Sequence, residues 1–242
     1  LVVTDLLGRT NVVTRAFFIS STMLRAGYSD WSVAAGAVRN DYGRASADYG
    51  PGFAAARYRR GVTDAVTAEA GLEIGDDGET SGDISADMLR GRFGLVHVSR
   101  AHGGAGGASE IGWQVDVPRW SAGLHWAMRE RGYHRLGDDG ASLGDESLAG
   151  SIALDLGDYG ALSLTAARVR SDISARTLQI AYEPDFGVGA LMFRARYAKS
   201  DTSESEYEIG VSLSITLRDD IAAGAEVDVS GGGIGSEISL QR

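Results

Sequence analysis

Glu206-Tyr207-Glu208-Ile209-Gly210-Val211-Ser212-Leu213-Ser214-Ile215-Thr216-Leu217 is the stretch on which the fold turns. Tyr207, Ile209, Val211, Leu213, Ile215 and Leu217 fall on one face, and Glu206, Glu208, Gly210, Ser212 and Ser214 on the other. A period of two is that of a β-strand, and two faces so different meet different solvents. The next segment repeats the pattern, with Ile221, Ala223, Ala225, Val227 and Val229 set against Ala222, Gly224, Glu226 and Asp228. A tight turn at Arg218-Asp219-Asp220 places Ile215 opposite Ala223 and Leu213 opposite Ala225, so the apolar faces agree in register.

Working outward, the same rhythm predicts about fifteen strands, near 12–20, 30–40, 52–60, 63–75, 80–90, 91–101, 109–117, 119–132, 146–156, 161–170, 174–183, 187–199, 204–217, 220–229 and 235–241. Upstream, a turn at Glu183-Pro184-Asp185-Phe186 brings Leu178 opposite Leu191. Most segments have the roughly 9–11 residues with which a tilted strand crosses a bilayer, against about 5–6 for an ordinary strand. Short connections (60–64, 157–160, 183–186) mix with longer polar ones (40–51, 133–145, 199–205), as in outer-membrane barrels. Trp113, Trp120, Trp126, Tyr133, Tyr182, Tyr197 and Tyr207 fall mainly near strand ends, where an interfacial girdle would place them.

Composition removes other classes. The 242 residues carry 23 Lys+Arg against 33 Asp+Glu, a net charge of −10, so no basic surface exists for nucleic acid. The absence of Cys excludes disulfide scaffolds, Cys-ligated zinc and thiol catalysis. No window reaches the roughly 18 consecutive apolar residues of a membrane helix, whereas a β-barrel scores near neutral and fits the mean hydropathy of −0.10. The N-terminus, Leu1-Val2-Val3-Thr4, has neither Met nor a signal peptide and is expected to begin a mature chain or a fragment.

Few constellations suggest chemistry. His102-Gly103-Gly104-Ala105-Gly106-Gly107 lacks dinucleotide-loop spacing and precedes a strand, so it reads as a turn. Ser230-Gly231-Gly232-Gly233-Ile234-Gly235 reads as a loop, and Asp76-Asp77-Gly78-Glu79 and Asp138-Asp139-Gly140 as solvated acidic turns. His97, His102, His125 and His134 show no metal-ligand spacing. No cofactor is implied. A loop-borne hydrolase site using His125 or His134 with nearby acids is the enzymatic rival.

More informative are the charges opposite the apolar face. One register across 199–205 sets Arg196 opposite Glu206 and Arg194 opposite Glu208, with Phe193 against Ile209. With Glu69, Glu73, Gln114, Asp116, Glu226 and Asp228 they describe a wet polar wall, either a barrel lumen or the solvent face of an ordinary antiparallel sheet. The number of long strands with small inward residues favours a wide barrel.

Two motifs carry a family resemblance. Leu24-Arg25-Ala26-Gly27-Tyr28-Ser29-Asp30-Trp31-Ser32, followed by Gly36 and Arg39, resembles the fimbrial outer-membrane ushers where a strand enters the barrel after the plug. Tyr58-Arg59-Arg60-Gly61-Val62-Thr63-Asp64, with Thr67, is similar to their tyrosine-glycine-leucine-threonine hairpin, although Arg60 and Val62 replace the usual aromatic and Leu. Val2-Val3-Thr4-Asp5, with Gly8, is similar to the segment returning from the plug.

The resemblance implies an incomplete antiparallel transmembrane β-barrel, with 1–15 leaving the plug region and 16–242 forming barrel wall in the outer membrane of a Gram-negative bacterium. It further implies a non-enzymatic pore that translocates and assembles fimbrial subunits, delivered by a periplasmic chaperone through domains outside this sequence, in contact with outer-membrane lipid. A standalone porin-like or autotransporter-type barrel is the alternative, and a soluble β-sandwich the plainest one.

Overall fold

The computed structural model describes residues 2–4, 10–12, 23–39, 48–135, 146–185, 190–203, 205–218, 221–231 and 233–241. Two short strands, β1 (Val2–Thr4) and β2 (Thr10–Val12), pair antiparallel. Fourteen more follow one another in a sheet in chain order. They are β3 (Ser29–Arg39), β4 (Tyr49–Thr63), β5 (Val66–Gly75), β6 (Thr80–Leu89), β7 (Leu95–Gly103), β8 (Gly106–Val117), β9 (Trp120–Arg129), β10 (Glu146–Asp155), β11 (Ala161–Arg170), β12 (Ala175–Glu183), β13 (Ala190–Ser200), β14 (Glu206–Arg218), β15 (Ile221–Ser230) and β16 (Gly233–Gln241).

These match fourteen of the predicted segments. The strand expected at 12–20 lies, except for Val12, outside the described residues, as does the acidic turn at 138–140. Among the described residues no helix is long and apolar enough to cross a membrane.

The chain forms two compact units, one of Leu1–Phe17, Val115–Leu124 and Leu148–Arg242, the other of Phe18–Gln114 and His125–Ser147. In the second, β3 to β8 are antiparallel neighbours and one face stays apolar from strand to strand. Its rows run Val33–Ala56–Leu72 and Val98–Ile111, with Ala70 opposite Ile84. In the first, the corresponding row is Leu164–Ile180–Ala195–Ile209–Val229–Ile234.

Burial is inverted relative to a water-soluble domain. Val115 is the one buried hydrophobic residue among those described, while Thr67, Ser81 and Asp87 are buried. Trp31 at 71% exposure, Ile84 at 65% and Ile209 at 63% typify an apolar face left open. Contiguous apolar surface of this extent is disfavoured in water by about 25 cal/mol per Å² and is stable against hydrocarbon.

Two registers differ from expectation. Leu213 does face Ala225 and Ile215 faces Ala223. Leu178, however, faces Tyr197 instead of Leu191. Arg196 faces Glu208 rather than Glu206, Arg194 faces Gly210, and Phe193 faces Val211. Each shift is by an even number of residues, which moves the partner along the strand without turning any side chain to the other face.

Candidate functional site on the polar face

Across β4, β5 and β6 the pairing sets Arg57 opposite Gly71 opposite Asp83, and Arg59 opposite Glu69 opposite Ser85. Gly71 has no side chain to separate its neighbours, so Arg57 Nη2 donates across it to Asp83 Oδ1 at 3.1 Å. A Cβ on Gly71 would lie 2.6 Å from that oxygen. Glu69 accepts from Arg57 and lies 3.6 Å from Arg59 Nε.

The same arrangement recurs on β13, β14 and β15. Arg194 stands opposite Gly210 opposite Asp228, and Arg196 opposite Glu208 opposite Ser230. Arg194 Nη2 donates to Asp228 Oδ1 at 2.8 Å, Glu226 Oε1 at 2.7 Å and Glu208 Oε1 at 3.1 Å. Arg196 Nη1 lies 3.8 Å from Glu208 Oε2. A Cβ on Gly210 would collide with the Asp228 carboxylate. The recurring signature is thus Arg-x-Arg on one strand, Glu-x-Gly on the next and Asp-apolar-Ser on the third.

Of the ten residues singled out from sequence, the structure gathers Arg194, Arg196, Glu208, Glu226 and Asp228 into one cluster. Glu69 and Glu73 join the other. Glu206 lies apart, opposite Ala198. Gln114 stands opposite Leu95, and Asp116 follows on the same face of β8. Sequence reading missed Arg57, Arg59 and Asp83, although the repeated signature was available to find them.

Two connections fold onto neighbouring hairpins. Residues 24–28 cross the β4–β5 turn: Leu24 N donates to Thr67 Oγ1 at 3.0 Å, Ala26 N to Asp64 Oδ1 at 3.0 Å, and Gly27 N to the Gly61 carbonyl at 2.8 Å. Thr67 is 1% exposed beneath them. The two motifs that carry the family resemblance are therefore one contact in space, and a Cβ on Gly61 would meet the Leu24 and Arg25 carbonyls.

Residues 130–135 cross the β7–β8 hairpin in the same manner. Ala105 N donates to the Gly132 carbonyl at 3.0 Å, and Gly107 N to Glu130 Oε2 at 3.0 Å. Cβ atoms on Gly103, Gly104 or Gly106 would collide with 131–134, which explains the glycine run that sequence reading took only as a turn. From this segment Arg135 donates to Glu73 and reaches within 3.6 Å of Asp83, while Ser81 Oγ donates to Glu73 at 2.8 Å.

Three of the four histidines pair with acids. His97 Nδ1 lies 2.7 Å from Asp87, His125 Nε2 2.8 Å from Glu110, and His134 Nε2 3.2 Å from Glu79. Among the described residues no three His, Asp or Glu side chains group as a metal site. On the polar face each cluster sets two or more arginines against converging carboxylates.

No family model and no curated protein matches the chain. Solved structures do. The structure of the P pilus usher (PapC) translocation pore matches with a TM-score of 0.63 at 15% identity, over 86% of this chain and 46% of that one. A crystal structure of the same pore covers 90% of this chain and 59% of the other at 14% identity and a TM-score of 0.46. An E. coli P pilus tip assembly intermediate, PapC-PapD-PapK-PapG, covers 98% and 40% at 14% identity and a TM-score of 0.43. The chain spans about half the length of the pore it fits best of these three. What a likeness at 15% identity carries is the fold, and this chain has the all-β, antiparallel fold of an usher translocation pore.

Proposed function

We propose that the chain is part of the wall of an outer-membrane usher pore that translocates chaperone-delivered fimbrial subunits and assembles them at the cell surface. The observation that carries this reading is the inverted burial, an open apolar face backed by a polar face of ion-paired side chains, on a sheet with the fold of the PapC pore. In this reading the apolar face contacts lipid, and Glu69, Glu73, Gln114, Asp116, Arg194, Arg196, Glu206, Glu208, Glu226 and Asp228 face the lumen.

A charged group already paired within the wall has little free energy to gain from a passing protein. Such a surface offers weak, distributed contacts, so a folded subunit slides without being held. Assembly itself would proceed by strand addition between subunits, with no catalytic residue required of the wall.

The test is deletion of the gene for the whole protein, followed by complementation. Loss of surface fibres, with subunits retained in the periplasm and fibres restored by the intact gene, is the expected result. Unchanged fibres with impaired uptake of small solutes would replace the usher reading with the porin one.

A further inference from the structure

The apolar face of β11, β12 and β13 ends in a row of cations. Arg168 faces Arg176, and Arg176 faces Lys199. All three are exposed, and adjacent strands lie about 4.8 Å apart. Like charges set directly opposite one another are destabilising. Yet among the described residues neither Arg168 nor Lys199 has an ion-pair or hydrogen-bond partner. The turns at this end carry Asp172 and Asp201, and Asp201 Oδ2 already accepts the Ser174 amide at 3.2 Å.

The next row toward the middle of the strands is Ala166–Leu178–Tyr197–Tyr207, and beyond it lie Leu164, Ile180, Ala195 and Ile209. Tyr197 and Tyr207 pack with centroids 5.0 Å apart. The Arg176 guanidinium lies 5.7 Å from the Tyr197 ring centre and donates to its hydroxyl at 3.3 Å. Cations above tyrosines above aliphatic side chains is the order a bilayer presents from headgroup to hydrocarbon.

We infer that Arg168, Arg176 and Lys199 form a binding site for phosphate groups of anionic lipid headgroups at one margin of the membrane-embedded band. The inference rests on the membrane reading of the apolar face. Three adjacent cations, two of them without a carboxylate partner among the described residues, call for an external anion. Their place on the lipid-facing side, rather than among the ion-paired clusters of the polar face, makes that anion a lipid.

The experiment uses the full-length protein purified in neutral detergent, with native mass spectrometry of bound lipid. Phosphatidylglycerol, diphosphoryl lipid A and phosphatidylcholine are added in separate arms. Retention of either anionic lipid over phosphatidylcholine is expected, falling about fivefold for each charge removed and on the order of a hundredfold in R168Q/R176Q/K199Q. Equal retention by wild type and triple variant, or no preference over phosphatidylcholine, overturns the site. Outer-membrane fractionation of both proteins separates the two failures: insertion with unaltered lipid retention sinks the site alone, whereas a wild-type protein absent from the membrane fraction sinks the membrane reading with it.

Discussion

The charge cluster of β4–β6 and that of β13–β15 share a plan yet differ in how they are completed. Each has two arginines, a Glu, an Asp and a bridging Gly at equivalent register positions. They part in the next row, where Glu73 faces Ser81 in one and Ser212 faces Glu226 in the other. Glu226 reaches the shared guanidinium directly, so three carboxylates converge on one Arg194 nitrogen. Glu73 instead engages Arg135, supplied by the segment that crosses the β7–β8 hairpin. Moving one carboxylate by one strand thus decides whether a cluster is self-contained or recruits a cation from a connection.

The largest expected effect lies in the self-contained cluster. Arg194→Ala leaves Glu208, Glu226 and Asp228 close together with Arg196 alone beside them. With Arg194 26% exposed, a cost of about 2 kcal/mol is expected, read as a lower unfolding midpoint of the detergent-solubilised full-length protein. Arg57→Ala should cost under about 1 kcal/mol, because Arg57 is 43% exposed and Arg59 and Arg135 still face Glu69 and Asp83. Equal costs would break the comparison.

A smaller effect sharpens it. Arg135→Ala should release 130–135 from the polar face, giving faster protease cleavage there and a destabilisation of about 0.5–1 kcal/mol. Glu226→Gln, which relieves a surplus carboxylate, should stay within about 0.5 kcal/mol of wild type. A Glu226→Gln penalty larger than that of Arg135→Ala would contradict this division of roles.

The smallest effect is set by pH. The hydrogen bond from Arg100 to Glu130 holds that carboxyl below its ordinary range. A depressed carboxylate contributes stability above its unfolded pKa and loses it as pH falls through the folded one. Protease protection of 130–135 should therefore weaken on acidification below the ordinary carboxylate range, and Glu130→Gln should remove that part of the acid response. An identical acid profile in the variant would show that Glu130 does not anchor the segment.

What the sequence discloses follows from what is coded locally. The strand period is written in every second residue, so β11 is read at 161–170 as it stands, and the two-faced character of β14 is evident from its own thirteen residues. Register is set by where a connection begins to pair. Leu178 pairs with Tyr197 and Arg194 with Gly210, partners that alternation alone cannot choose. The contact of 24–28 with Gly61 and Thr67, and that of 130–135 with the glycine run, join segments distant in sequence. Their only local trace was glycine where a strand had no need of it.

The most direct test of the account places single cysteines at adjacent positions of β14, Val211→Cys and Ser212→Cys, in the full-length protein in native outer membranes, using a background without other reactive thiols. The account predicts that Cys at 211 resists a water-soluble maleimide and that a fluorophore there is quenched by spin-labelled lipid, while Cys at 212 reacts with the maleimide and its label is not quenched. The reverse pattern, or equal aqueous reactivity at both positions, would contradict the assignment of the open apolar face to lipid.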